Sequence, residues 1–192
     1  LTEKEKMIAG DFYNTRDGEL IEMYHKARKL IDDFNKTTSY EMDEKQSILK
    51  KLLGSIENGV WIEKPFYCDY GENISIGENT FINFNCTFLD CNKITVGENV
   101  LIGPNVQIYT ASHPLRPMER INKDISNGEA PYKTFSRPVK IGNNVWIGGN
   151  VTILPGVEIG DNSVIGASSV VTKSIPSNSI AYGNPCRVEK TV

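Results

Sequence analysis

From Ile141 the chain falls into sixes, IGNNVW, IGGNVT, ILPGVE, IGDNSV, IGASSV and VTKSIP, with Ile141, Ile147, Ile153, Ile159, Ile165 and Val171 in first place. An earlier block keeps the frame. IGENTF, INFNCT, FLDCNKIT with two extra residues, VGENVL, IGPNVQ and IYTASH put Ile76, Ile82, Phe88, Val96, Ile102 and Ile108 in the same position. A short fixed period marks a solenoid, in which each unit buries its apolar residue only by stacking on its neighbours. A narrow interior has room for one branched side chain per edge per layer, so an aliphatic residue must recur. Gly and Asn follow it because corners demand tight turns at unusual backbone angles. Three sixes, about 18 residues, close one triangular coil.

Before residue 56 the pattern is helical. Leu20, Tyr24, Ala27, Ile31 and Phe34 recur at three- and four-residue spacing and predict one amphipathic helix. A second is predicted over 43–53, carrying Ile48, Leu49, Leu52 and Leu53 and stopping at Gly54 in a left-handed cap. Helices this short have no core of their own and must pack on the solenoid. The expected division is a helical, acceptor-side segment over 1–56 and a solenoid domain over 57–192.

The 21 Lys and Arg against 24 Asp and Glu leave a formal charge of -3. That balance offers no broad basic field, so nucleic acid is not an expected partner. No run approaches the roughly 20 apolar residues of a bilayer span, and LTEKEKMIAG lacks the apolar run of a signal peptide. A cytoplasmic protein with no membrane partner is expected. Cys68, Cys86, Cys91 and Cys186 form no CxxC pair, which suits buried reduced thiols. Neither Cys86 nor Cys91 has a histidine of its own to activate it as a nucleophile.

The six-residue rhythm breaks at YTASHPLRP, residues 109–117, and the segment over 110–138 departs from it altogether, punctuated by Pro114, Pro117, Pro131 and Pro138. An excursion held by a rigid scaffold is a usual home for function. It carries His113, one of only two histidines. The other, His25, falls on the polar side of the long helix and reads as solvated. A solenoid zinc site of three histidines cannot be assembled from this pair, and no metal is expected.

The repeat resembles that of the hexapeptide-repeat acyltransferases, whose fold is a left-handed parallel β-helix; the handedness comes from the resemblance. Within that group the chain is most similar to the sugar O-acetyltransferases that modify maltose, glucose or galactosides. The shared stretches are the helical leader, DYGENISIG at 69–77, NFN at 83–85, SHP at 112–114, IGNNVWIGG at 141–149, PGVEIGDNSVIGASSVVTK at 155–173 and GNPCRV at 183–188. The resemblance implies acetyl transfer from acetyl-CoA to a sugar hydroxyl, with His113 as general base. Imidazole has the right basicity near neutral pH, and a thioester is already activated, so no covalent acyl-enzyme is needed.

The resemblance also implies the remaining site. Gly149, Ala167, Thr172, Lys173 and Arg187 match positions that touch the donor, and Trp146 walls its tunnel. Gly148 and Ser168 extend the small-residue groove, and Lys190 adds a cation for the phosphates. Asn83 matches an acceptor-contacting position, and Asp69, Asn85, Asp90 and Asp17 are further acceptor candidates. Asp69 stands where relatives often have Ser or Thr, and the excursion over 122–138 is longer than in most, so both bear on which sugar is used. The family forms its site between subunits of a trimer, which implies a homotrimer here. Two other readings stay open: an amine acceptor such as an amino sugar or serine, and a scaffold without catalysis.

Overall fold

A computed structural model describes all 192 residues. Three parallel sheets form the faces of a prism, and the chain visits them in rotation. The first face contains Ser55–Ile56, Ile74–Ile76, Ile94–Val96, Val139–Ile141 and Glu158–Ile159. The second runs from Trp61–Ile62 through Phe81–Ile82, Leu101–Ile102, Trp146–Ile147 and Val164–Ile165 to Ser179–Gly183, where Cys186–Thr191 adds antiparallel. The third contains Phe66–Cys68, Cys86–Leu89, Gln107–Tyr109, Thr152–Ile153 and Val170–Val171.

The register converts the sequence frame into three columns. Ile76, Val96, Ile141 and Ile159 stack on the first face, Ile82, Ile102, Ile147 and Ile165 on the second, and Phe88, Ile108, Ile153 and Val171 on the third. None of these twelve is more than 2% exposed. Truncating one to Ala is expected to cost about 2–5 kcal/mol, because the coils above and below cannot close the hole. The frame begins one coil earlier than the sequence reading has it, since Ile56, Ile62 and Cys68 pair with Ile76, Ile82 and Phe88.

The corners divide the work of Gly and Asn. On the edge between first and second faces Asn79, Asn99, Asn144, Asn162 and Asn178 hold φ between 54° and 62°, as do Asn85, Asn105 and Asn150 on the edge between second and third. The left-handed turn therefore falls mostly to Asn, with Gly59, Gly156 and Ser168 taking it at other corners. Gly97 has an ordinary φ and is small for another reason: a Cβ there would lie 2.7 Å from the backbone of Gly142 in the next coil. The sequence reading gave both residues the same role.

Three helices precede the coils: α1 (Glu3–Ala9), α2 (Gly18–Lys36) and α3 (Met42–Leu52). The sequence reading missed α1, although Thr2 and Glu5 form a capping box at its start. In α2 the buried stripe is Leu20, Met23, Ala27, Ile31 and Phe34. Tyr24 is corrected to the exposed side, where the Arg28 guanidinium lies 4.4 Å from its ring centroid. The end of α3 is also corrected. Leu53 caps it in an extended conformation (φ -87°), and Gly54 is required because a Cβ would meet the Glu72 carbonyl oxygen at 2.2 Å.

Phe34, Ile48, Leu49 and Leu52 belong to the same apolar core as the coils, so α2 and α3 cover the open end of the first one. A smaller cluster of Met7, Tyr13, Leu20, Met23 and Cys91 joins α1 and α2 to the flank. All four cysteines are free and buried. No helix is long and apolar enough to cross a membrane.

Candidate active site

The edge between the third and first faces departs from the sixes four times, the last by being two residues short, since Ile175 rather than residue 177 pairs with Ile159. The first two coils each carry two extra residues there, over 69–73 and 89–93, and the third departure is the excursion. The two small bulges are clamped together by Asp90. Its carboxylate, 0% exposed, accepts from the backbone N–H groups of Asp69 at 3.0 Å, Tyr70 at 2.8 Å and Asn73 at 3.3 Å. Burial pushes its pKa up to about 7, against the pull of the backbone N–H donors. Asp90 is thus buried and committed to backbone donors of the neighbouring bulge.

Asp69 is half-buried beside it. The Cys91 thiol donates to Asp69 Oδ2 at 3.3 Å, and Arg28 Nη2 stands 3.7 Å from Oδ1 while Nη1 donates to the Cys68 carbonyl at 2.5 Å. Burial raises the Asp69 pKa, opposed by the Cys91 hydrogen bond and the Arg28 charge. Tyr13, 6% exposed, lies against Cys91, and its hydroxyl is the one buried side-chain polar atom without a hydrogen-bond partner.

The excursion is a hairpin at its root. Ala111–Ser112 pairs antiparallel with Phe135–Ser136, and Thr134 bridges onward to Tyr13, so His113 comes to lie opposite Thr134. A short helix, Pro117–Arg120, follows the turn. His113 is exposed, and its Nδ1 lies 2.8 Å from the Lys133 carbonyl oxygen. A carbonyl can only accept, so Nδ1 carries the proton and Nε2 presents a bare lone pair. The Thr134 hydroxyl, 3.5 Å from Nδ1, lies alongside.

The other candidates lie elsewhere. Asp17 caps α2, accepting from the Glu19 N–H at 3.0 Å. Asn83 and Asn85 sit on the edge between second and third faces, where Asn85 Nδ2 donates to Asn105 Oδ1 at 2.8 Å. Gly148, Gly149, Ala167 and Ser168 continue that edge in the later coils. Trp146 projects from the second face, 57% exposed. Arg187 and Lys190 are exposed on the final antiparallel strand, and Thr172 and Lys173 are exposed just beyond the last strand of the third face.

The chain therefore brings His113 and Asp69 to one edge and Asn83, Asn85, Gly149 and Ala167 to another. From Asn85 to Asp90 the third face is crossed in extended chain, roughly 16 Å at ~3.3 Å per residue. A cavity of about 210 Å³ does lie beside the excursion, between α1, Tyr13, Asn122, Tyr132 and Lys133, but none of the acceptor candidates lines it.

Sequence reasoning missed Arg28, Tyr13 and Lys133. Lys133 acts through its backbone oxygen, which no residue type reveals, and Arg28 looks like any charge on a helix's wet face. Cys91 is the buried reduced thiol that the sequence leads one to expect, but its hydrogen bond to Asp69 is not foreseen. A cysteine at a bulge beside a carboxylate carries no sequence signal for the thiol donor it proves to be.

Two family models match the chain: the maltose acetyltransferase hexapeptide capping motif over residues 6–57 and the six-repeat bacterial transferase hexapeptide over 138–173. A galactoside O-acetyltransferase of Escherichia coli (strain K12) is 42% identical over 188 residues, covering 98% of this chain and 88% of the relative. Among solved structures, a maltose O-acetyltransferase from Clostridium difficile 630 superposes with a TM-score of 0.92 at 48% identity, covering 100% of this chain and 98% of that one. A galactoside acetyltransferase in complex with coenzyme A gives 0.91 at 40% identity, covering 100% and 91%.

Proposed function

Because the chain belongs to the galactoside and maltose O-acetyltransferase family of hexapeptide-repeat acetyltransferases, we propose that it moves the acetyl group of acetyl-CoA to a hydroxyl of maltose, glucose or a galactoside, with His113 as general base. The observation that carries the catalytic assignment is the His113–Lys133 hydrogen bond, which leaves Nε2 free on an exposed ring. Nε2 takes the proton of the acceptor hydroxyl as that oxygen attacks the acetyl carbonyl, and the imidazolium returns it to the departing thiolate. The Lys133 carbonyl holds the ring and favours the positive charge it carries between those two events.

The donor supplies an activated acyl group on a thin arm, and the second edge suits such an arm. Gly149 and Ala167 offer no side chain beyond Cβ there, and a Cβ on Gly149 would already press on the Pro104 ring at 3.3 Å. Trp146 walls the groove, while Thr172, Lys173, Arg187 and Lys190 lie towards the phosphates. Asn83, Asn85 and Asp69 read the acceptor, with Asp17 at the lip of the helical segment. That segment serves the acceptor side by fixing Asp69 through Arg28.

Catalysis requires the two edges to meet, and a homotrimer accomplishes this by setting His113 of one copy against the donor groove of the next. The second face supports the arrangement. Trp61, Phe81, Leu101, Trp146, Val164 and Ile180 form one outward apolar column, with Leu101 and Trp146 more than half exposed. The outward residues of the first face, Ser75, Thr95, Lys140 and Glu158, are polar.

Thiol release from acetyl-CoA with maltose, glucose, a β-galactoside, glucosamine and serine as acceptors tests the reading. Neutral sugars should turn over, and His113→Ala should lower kcat by about 10²- to 10⁴-fold while coenzyme A still binds. Turnover on the amines alone would replace the acceptor class, and full activity in His113→Ala would remove the base.

A further inference from the structure

A helix leaves its last carbonyls without partners, and where the end is buried some other group must satisfy them. The end of α1 is such a place. Asn92 Nδ2 lies 3.2 Å from the Met7 carbonyl oxygen, 3.1 Å from that of Ile8 and 3.0 Å from Ser136 Oγ, and Ser136 Oγ donates to the Met7 oxygen at 2.5 Å. Arg137 Nη1 donates to the Gly10 carbonyl at 2.6 Å. Asn92 comes from the bulge of the second coil and Ser136 from the returning strand of the excursion.

The same knot closes the neck of the excursion. The Asn92 N–H donates to Thr110 Oγ1 at 2.9 Å, Thr110 Oγ1 donates to the Leu89 carbonyl at 2.6 Å, and the Arg137 N–H donates to the Thr110 carbonyl at 2.9 Å. Thr110 and Ser136 are 0% exposed and Asn92 is 2% exposed. Ser136 pairs with Ala111, and that register sets His113 opposite Thr134 and beside the Lys133 carbonyl.

We propose that Asn92 and Ser136 are positioning residues for His113, locking the end of α1 against the root of the excursion and so holding the strand whose Lys133 carbonyl aims the imidazole. The proposal rests on the reading of His113 as general base. Neither residue touches substrate. Each acts through backbone placement, and a base displaced by about an ångström loses up to roughly a hundredfold in rate.

The test is Ser136→Ala made both in the wild-type chain and in His113→Ala, with Asn92→Ala in parallel. In the wild-type background kcat should fall about ten- to a hundredfold with the acetyl-CoA KM unchanged. In the His113→Ala background the residual rate should not fall further, because the group being positioned is gone. Equal losses in both backgrounds, or no loss in either, would overturn the proposal. If the buried variants do not fold, Arg137→Ala takes their place, since it removes an exposed tether to the same helix end and should show the same pattern at smaller size.

Nitrogen NMR of histidine-labelled protein, with His25→Gln to leave one imidazole, separates the two readings. Wild type should show a single Nδ1–H tautomer, and Ser136→Ala a mixture. An unchanged tautomer together with an unchanged kcat would sink the positioning role, whereas full activity in His113→Ala would sink the base assignment and leave the tautomer shift to decide the positioning.

Discussion

Asp69 and Asp90 stand on one edge of the prism, Asp69 half-buried beside Arg28 and Asp90 fully buried on backbone N–H groups. The folded pKa of Asp90, about 7, lies above its ordinary value of 3.8, so between those values the folded chain holds a proton that the unfolded chain releases. Its contribution to stability therefore falls as pH rises through that window. The melting temperature of wild type, measured against Asp90→Asn, should decline from pH 4 to 7; parallel curves would show that the carboxyl titrates normally. Asp69→Asn should instead raise the sugar KM several-fold and leave that of acetyl-CoA alone, and initial rates with each substrate varied would tell. Nothing in LDCN or CDYG distinguishes these carboxylates, because the difference is made by which backbone N–H groups the coil stacking turns toward them. The loop that carries His113 was legible for the contrary reason, as the one long break in a period; a role for its histidine came only with the family resemblance.

At the scale of elements, the columns were legible because one buried position in six has a single physical cause. The asparagine corners carry a further consequence. Asn99, Asn144 and Asn162 each donate to the next along their edge at 3.3, 3.0 and 2.8 Å, the last to Asn178 Oδ1, and all four lie in the left-handed region. Asn144→Gly keeps the turn and loses the ladder, costing about 1 kcal/mol, while Asn144→Ala loses both and costs about 2–3 kcal/mol. Urea denaturation of the pair would reverse that order only if the side-chain ladder and not the backbone angle set the corner. What the sequence hid are contacts between distant segments. The partner of Ser112 is Phe135, across a stretch with no alternating pattern, and α1 is short enough that its capping box was its only signal. Gly54 was read as a cap because sequence shows that a side chain is missing but not which neighbour excluded it.

On the scale of the whole molecule, the edge that carries His113 and the edge that carries Asn83 and Gly149 are different corners of one prism, with the width of the third face between them. Sequence motifs name the residues of both edges without saying that a face lies between them. Burial of the apolar second face against a neighbour would join them, and Trp146→Glu should break the assembly and the activity together, read by light scattering alongside the thiol assay. A sharper experiment mixes two inactive chains. His113→Ala lacks the base but keeps its groove, and Gly149→Phe fills the groove but keeps the base. If each site takes its base from one copy and its groove from the next, a mixed trimer always contains one intact pairing of three, so refolding equal amounts of the two together, which leaves about a quarter of the trimers unmixed, should restore about a quarter of the wild-type activity. If base and groove came from one chain, no mixture could restore anything, because every site would carry one of the two lesions.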